Sequence, residues 1–224
     1  MTVAAPASPA RVEAPGPPPL VLWPTAPGSR RHGPQRASRA ATRDACRARG
    51  VRWQEVTCDG PYGYRDRLGE AWVDPQVGRL VVVEHDVEPT AGQLRQILDC
   101  DHPACFRTYR MRAGPGEDPA SQIWIHRHLE SWPAGARWVG DTALVSSVGP
   151  GPVWRPGQLA DVEVDGCWPL GFAAFSREAR ALLPPAFWTL PQSWRALDTR
   201  LTFVLSRAGV LGHLHGSVTH PQRR

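Results

Sequence analysis

Residues 80–90, LVVVEHDVEPT, constrain the fold of this chain more than any other stretch. Four apolar residues, three of them valine, run without a polar break, so the segment reads as a strand covered on both faces. Buried strands ordinarily close on Gly, Asn or Ser turns. This one instead runs directly into Glu84, His85, Asp86 and Glu88. The x-acid-x-acid spacing predicts that Glu84 and Asp86 point the same way off an extended strand while His85 points back.

Around this segment the chain repeats a strand-then-helix grammar. LVLWPT (20–25), VRWQEVT (51–57) and RLVVVE (79–84) read as strands, and residues 35–49, 64–72 and 90–99 as helices, the last with Thr90 as N-cap after Pro89. From 100 to 170 the pattern loosens into short segments and a Gly/Pro-rich loop at 148–157. Regularity returns with a strand and helix start over 170–184. A helix over 193–209 follows, with Leu197, Leu201, Val204, Leu205 and Ala208 at helical spacing and Gly209 at its end, and then a strand over 210–220. Strands alternating with helices predict an α/β fold, a doubly wound, mostly parallel sheet in a single domain. Ligands of such sheets bind at the carboxyl ends of the strands, where Glu84 and Asp86 stand. Carboxylates there suit a hard divalent cation that in turn holds a diphosphate.

Composition narrows the function classes. Residues 1–19 are Ala/Pro-rich and read as a disordered lead-in before a folded unit of 20–224. They lack the apolar core of a signal peptide, and no window reaches the length of a membrane span, so the expectation is a soluble, cytoplasmic protein. The net charge of +5 is unevenly placed: residues 1–49 hold eight arginines against Glu13 and Asp44, a net +6, and the other 18 arginines face 19 acids, a net −1. With no lysine anywhere, the arginines match a GC-rich coding bias, and no specific nucleic acid partner is expected.

The five cysteines are odd in number and scattered, which argues for reduced thiols. Cys100, His102 and Cys105 in CDHPAC could supply three zinc ligands, but no second ligand pair stands at a recognisable spacing. The alternative is a loop whose thiols pack as small hydrophobes.

Several of these segments resemble the family-2-type glycosyltransferases with the GT-A fold, which use a nucleotide-diphosphate sugar and usually Mn²⁺ or Mg²⁺. VLWPT is similar to that family's opening strand, VTCDG to its second-strand acidic turn, VVVEHD to its D-x-D strand end, and GFAAFSREA to its acceptor-side strand. LDTRLTFVLSRAG (197–209) is similar to its E-D-x-x-L-x-x-x-L-x-x-x-G segment, and SVTH to its terminal V-x-H. Glu stands in place of the first D-x-D acid, and Leu197 in place of the Glu before the aspartate. The resemblance implies Asp198 as catalytic base, and Pro24, Thr25, Asp59, Glu84 and Asp86 around the nucleotide sugar. It implies Glu84, Asp86 and His220 at the metal, and a glycosyl acceptor as second substrate.

The residues are chemically suited to those roles. Inverting transfer needs a base for the acceptor hydroxyl and a cation for the leaving diphosphate. Asp198 has the alternative of a helix cap or first-turn acid. His213 and His215 share one strand face and could join the metal site or be exposed. Trp124, Trp132, Trp138 and Trp154 could stack on sugars or pack a core. Two other classes fit the sequence. A non-catalytic nucleotide- or sugar-binding relative is separated from an enzyme by nucleotide release, and a zinc-stapled nucleic-acid-binding protein by stoichiometric zinc and salt-dependent binding.

Overall fold

The computed structural model describes residues 16–25, 27, 33–60, 62–108, 137–139, 142–144, 161–164, 168–189 and 194–218. In chain order the strands are β1 (Leu20–Thr25), β2 (Arg52–Thr57), β3 (Leu80–Val83), β4 (Ala104–Thr108), β5 (Arg137–Val139), β6 (Thr142–Leu144), β7 (Val162–Val164), β8 (Phe172–Phe175) and β9 (Gly212–Ser217). The helices are α1 (Gly33–Ala48), α2 (Gly63–Val73), α3 (Ala91–Asp99), α4 (Arg177–Ala181) and α5 (Trp194–Arg207), with a 3₁₀ turn at Pro185–Thr189.

Seven strands form one sheet in the order β2-β1-β3-β8-β4-β9-β7, and β5 and β6 pair separately as an antiparallel ribbon. From the pairings, β2, β1, β3, β4 and β9 run one way while β8 and β7 oppose them. The α/β class and the mostly parallel sheet are as the sequence predicts. Two strands of the loosened middle, β4 and β7, are additions: ACFRT follows the CDHP loop too closely to show a period of its own.

The sheet is wound on both faces, which is why β1 and β3 are buried along their whole length. Leu20, Leu22, Leu80, Val82 and Phe106 point to the face covered by α2, α4 and α5 through Leu68, Trp72, Ala179, Leu197, Leu201 and Leu205. Val21, Trp23, Val81, Val83 and Cys105 point to the other face, covered by α1 and α3 through Cys46, Leu94 and Ile97. Pro24 has no N–H to donate, and it falls after Leu22–Val82, the last β1–β3 pair, so it interrupts no ladder there.

Local signals set the element ends. Thr90 caps α3 in a reciprocal box with Gln93: the Gln93 N–H donates to Thr90 Oγ1 at 3.2 Å, and Gln93 Oε1 accepts from the Thr90 N–H at 2.8 Å. Gly209, with φ of 85°, ends α5 in the left-handed region that favours glycine. Part of the predicted lead-in belongs to the folded body. The Gly78 N–H donates to Pro18 O at 3.0 Å and the Arg52 N–H to Pro19 O at 3.1 Å. No helix among the described residues is long and apolar enough to cross a membrane.

Candidate active site

Strand β3 ends at Val83, one residue earlier than the sequence suggests, and the chain turns at once. The Glu84 N–H donates to Gly171 O at 2.9 Å, and the Val87 N–H closes the turn on Glu84 O at 3.1 Å. Glu84 and Asp86 are therefore brought together by a tight turn, not by the alternation of an extended strand. Val87 and Pro89 are buried beyond it and anchor the turn to the core. Two residues past Asp86, Glu88 Oε1 is buried without a hydrogen bond.

Continuing the alternation of β3, Glu84 falls on the same face as Leu80 and Val82, the face that α2 and α5 cover. Its electrostatics agree. Burial first, then the charges of Asp86 and Asp198, push the Glu84 carboxyl up to about 8, with the nearby Tyr64 hydroxyl opposing them. Three acids from two parts of the chain, the turn after β3 and helix α5, thus lie close enough for their charges to interact.

Asp198 does not cap its helix. It is the fifth residue of α5, in the second turn, and half-buried. Leu197, Leu201 and Leu205 are fully buried on one side of α5 and fix its rotation. Thr202 Oγ1 donates to Asp198 O at 2.7 Å and accepts from the Trp168 N–H at 3.2 Å, which pins this turn to the chain entering β8.

Pro24 and Thr25 are buried at the end of β1, where Thr25 Oγ1 donates to Val56 O at 3.0 Å and Thr25 O accepts from the Cys58 N–H at 2.9 Å. Asp59 is exposed just beyond β2. Burial raises the Cys58 thiol to about 11; the Thr25 backbone and Arg67 pull it down, and Asp59 and Glu84 push it up. Cys58 is thus within reach of both acids' charges, and Asp59 shares the carboxyl edge with Glu84. His220 lies outside the described residues, as do Trp124, Trp132 and Trp154.

His213 and His215 are neither exposed nor at the acid turn. They sit on β9 on the opposite face of the sheet, with His213 in register with Cys105. Two residues near the acids carried no sequence signal: Tyr64, beside Glu84, and Arg67, whose charge reaches Cys58 and Asp59.

No protein-family model and no curated protein matches this sequence. Similar solved structures include a glycosyltransferase involved in glycosylation of the major capsid of PBCV-1, at 11% identity over 88% of this chain and 82% of that one, with a TM-score of 0.44. Another is the inositol-1-phosphate CTP transferase from T. maritima, at 10% identity over 92% and 90%, with a TM-score of 0.43. A third is a 4-diphosphocytidyl-2C-methyl-D-erythritol synthase from Anaerococcus prevotii, at 9% identity over 89% and 88%, with a TM-score of 0.46. At these values the likenesses assign no chemistry to this chain.

Proposed function

We propose that this chain is a metal-dependent glycosyltransferase of the GT-A type, moving a sugar from a nucleotide-diphosphate donor to an acceptor hydroxyl with inversion. What supports the reading is the electrostatic coupling of Asp86 and Asp198 to a buried Glu84 at the carboxyl end of a parallel strand. A cluster of like charges that raises its own proton affinity is a region of surplus negative potential. Its oxygen-only donors suit a hard dication.

In this reading Glu84 and Asp86 hold Mn²⁺ or Mg²⁺, with His220 reaching the metal or the diphosphate. When bound, the ion supplies charge stabilisation for the leaving nucleotide diphosphate. Pro24, Thr25 and Asp59 border the nucleoside at the adjoining strand ends. Asp198 takes the proton of the acceptor hydroxyl, a role that requires room for the sugar ring and the attacking oxygen between it and the acid turn.

A thermal-shift panel of UDP-, GDP- and dTDP-sugars, each with and without Mn²⁺, tests this reading. One nucleotide sugar should raise the melting temperature only with the metal, and Asp86→Asn should abolish that coupling. Equal stabilisation of Asp86→Asn and wild type would remove Asp86 from the site.

A further inference from the structure

On the opposite face of the sheet from the acid turn, thiols and imidazoles from three parts of the chain meet. Cys100 is the C-cap of α3, Cys105 lies in β4, and His215 lies in β9. One ligand atom from each lies within 4.8 Å of the other two. The CDHPAC segment alone supplied no partner pair; β9 brings it, because β4 and β9 are neighbours in register at Cys105 and His213.

The surroundings of His215 are compatible with metal ligation. Its Nδ1 faces Asp161 Oδ1 at 3.7 Å, and its Nε2 is buried with no hydrogen bond. The carboxylate is beyond hydrogen-bond distance and equally near His213 Nε2, at 3.6 Å. It lies, however, on the Nδ1 side of His215, where the outer partner of a metal-bound histidine stands, while Cys100 and Cys105 lie close to the ring. Asp161 has a left-handed conformation, φ 58°, that non-glycine residues seldom adopt, and its N–H donates to Leu214 O at 2.7 Å. His102 stands beside the trio with Nδ1 3.6 Å from Cys100 Sγ, stacked on His213 at 4.0 Å between ring centroids. Arg79 Nη2 donates to Cys105 Sγ at 3.1 Å, and the same guanidinium donates to Ile97 O and His102 O, fixing the loop that carries the ligands.

We propose that Cys100, Cys105 and His215 bind a zinc ion, with His102 beside them in the fourth position and Asp161 orienting His215. Two thiolates and imidazoles select a borderline-soft, tetrahedral ion over the hard cations suited to the acid turn. The ion would tie the end of α3 and the start of β4 to β9, far along the chain, so its role is structural. The site is independent of the proposed transferase chemistry: Glu84 falls on the other face of the sheet.

The test is zinc content by mass spectrometry of the full chain, purified under reducing conditions and dialysed against metal-free buffer. Wild type and Asp86→Asn should retain stoichiometric zinc; Cys100→Ser and His215→Gln should lose it; Asp161→Asn should weaken retention by about 10–100-fold. A chelator should lower the melting temperature of wild type and leave Cys100→Ser unchanged. Should the ligand variants fail to fold, cobalt loading of wild type decides: a thiolate-to-cobalt charge-transfer band supports the site. Its absence in protein with free thiols, or zinc retained equally by Cys100→Ser and His215→Gln, overturns it.

Discussion

Glu84 takes up a proton more readily than an ordinary carboxylic acid, because burial and the charges of Asp86 and Asp198 disfavour its ionised form. Between the usual carboxylate value of 4.5 and about 8, the folded chain holds a proton there that the unfolded chain has released. The contribution of this group to stability is therefore full below that window and is lost as pH rises through it. Glu84→Gln keeps the neutral shape at every pH. In metal-free buffer at about pH 8 it should be more stable than wild type by about 1–3 kcal/mol, allowing for partial exposure, and the gap should close toward pH 4. Urea melts at the two pH values check this, and a constant gap would mean that Glu84 is not the titrating group. Asp198→Asn tests a different property. With Asp198 in the second turn of α5, the change removes no cap. If Asp198 is the base, metal-dependent nucleotide binding should persist while transfer falls by about 10²–10⁴, read as nucleotide release over time. Unchanged transfer would take the base role from Asp198.

Among the elements, α2 depends on a side chain from elsewhere for its C-terminal end. Arg180, in α4, is buried and donates to the carbonyls of Ala71, Trp72, Val77 and Gly78, while Trp72 Nε1 donates back to Arg180 O at 3.0 Å. Burial lowers the affinity of this guanidinium for its proton, and the carbonyls compensate for the lost water. Arg180→Met should cost about 2–4 kcal/mol by leaving those carbonyls without a donor, and Arg180→Lys should recover only part, since an ammonium cannot fork between them. Arg177→Met, one turn away and exposed, should stay within about 0.5 kcal/mol in the same denaturant series. Nothing in SREARA marked Arg180 as buried. In sequence it looks like any helical arginine, and only the docking of α4 against α2 gives it its partners.

For the whole molecule, the charge asymmetry of the sequence is partly absorbed in the fold. Arg39 pairs with Glu55 at 2.9 Å and Arg49 with Asp99, so arginines of the basic head meet acids of the neutral body. The boundary of the folded unit also moves. Removing residues 1–15, Ala/Pro-rich with little to bury, should change stability by less than about 0.5 kcal/mol. Extending the cut through residue 19 removes the acceptors of the Gly78 and Arg52 N–H groups and should cost about 1–2 kcal/mol more. Melting the two truncations side by side measures that step; equal stability would show that water replaces both acceptors.

What the sequence by itself determined is local. The apolar run of β3, the Thr90–Gln93 box at α3 and the glycine stop after α5 each depend on residues within a few positions, and each stands where the pattern places it. Glu84 and Asp86 were legible as a strand-end pair for the same reason, although the turn that joins them was not. The tertiary structure decided every meeting of distant residues. β8 enters between β3 and β4, so β4 lies next to β9 and Cys105 lies in register with His213. The docking of α5 brings the charge of Asp198 to bear on Glu84. Periodicity and capping are encoded in neighbouring side chains, whereas strand order follows from which faces can be buried together once the loops have closed. A carboxylate on α5 or a histidine on β9 has no local signature of the partner it will meet.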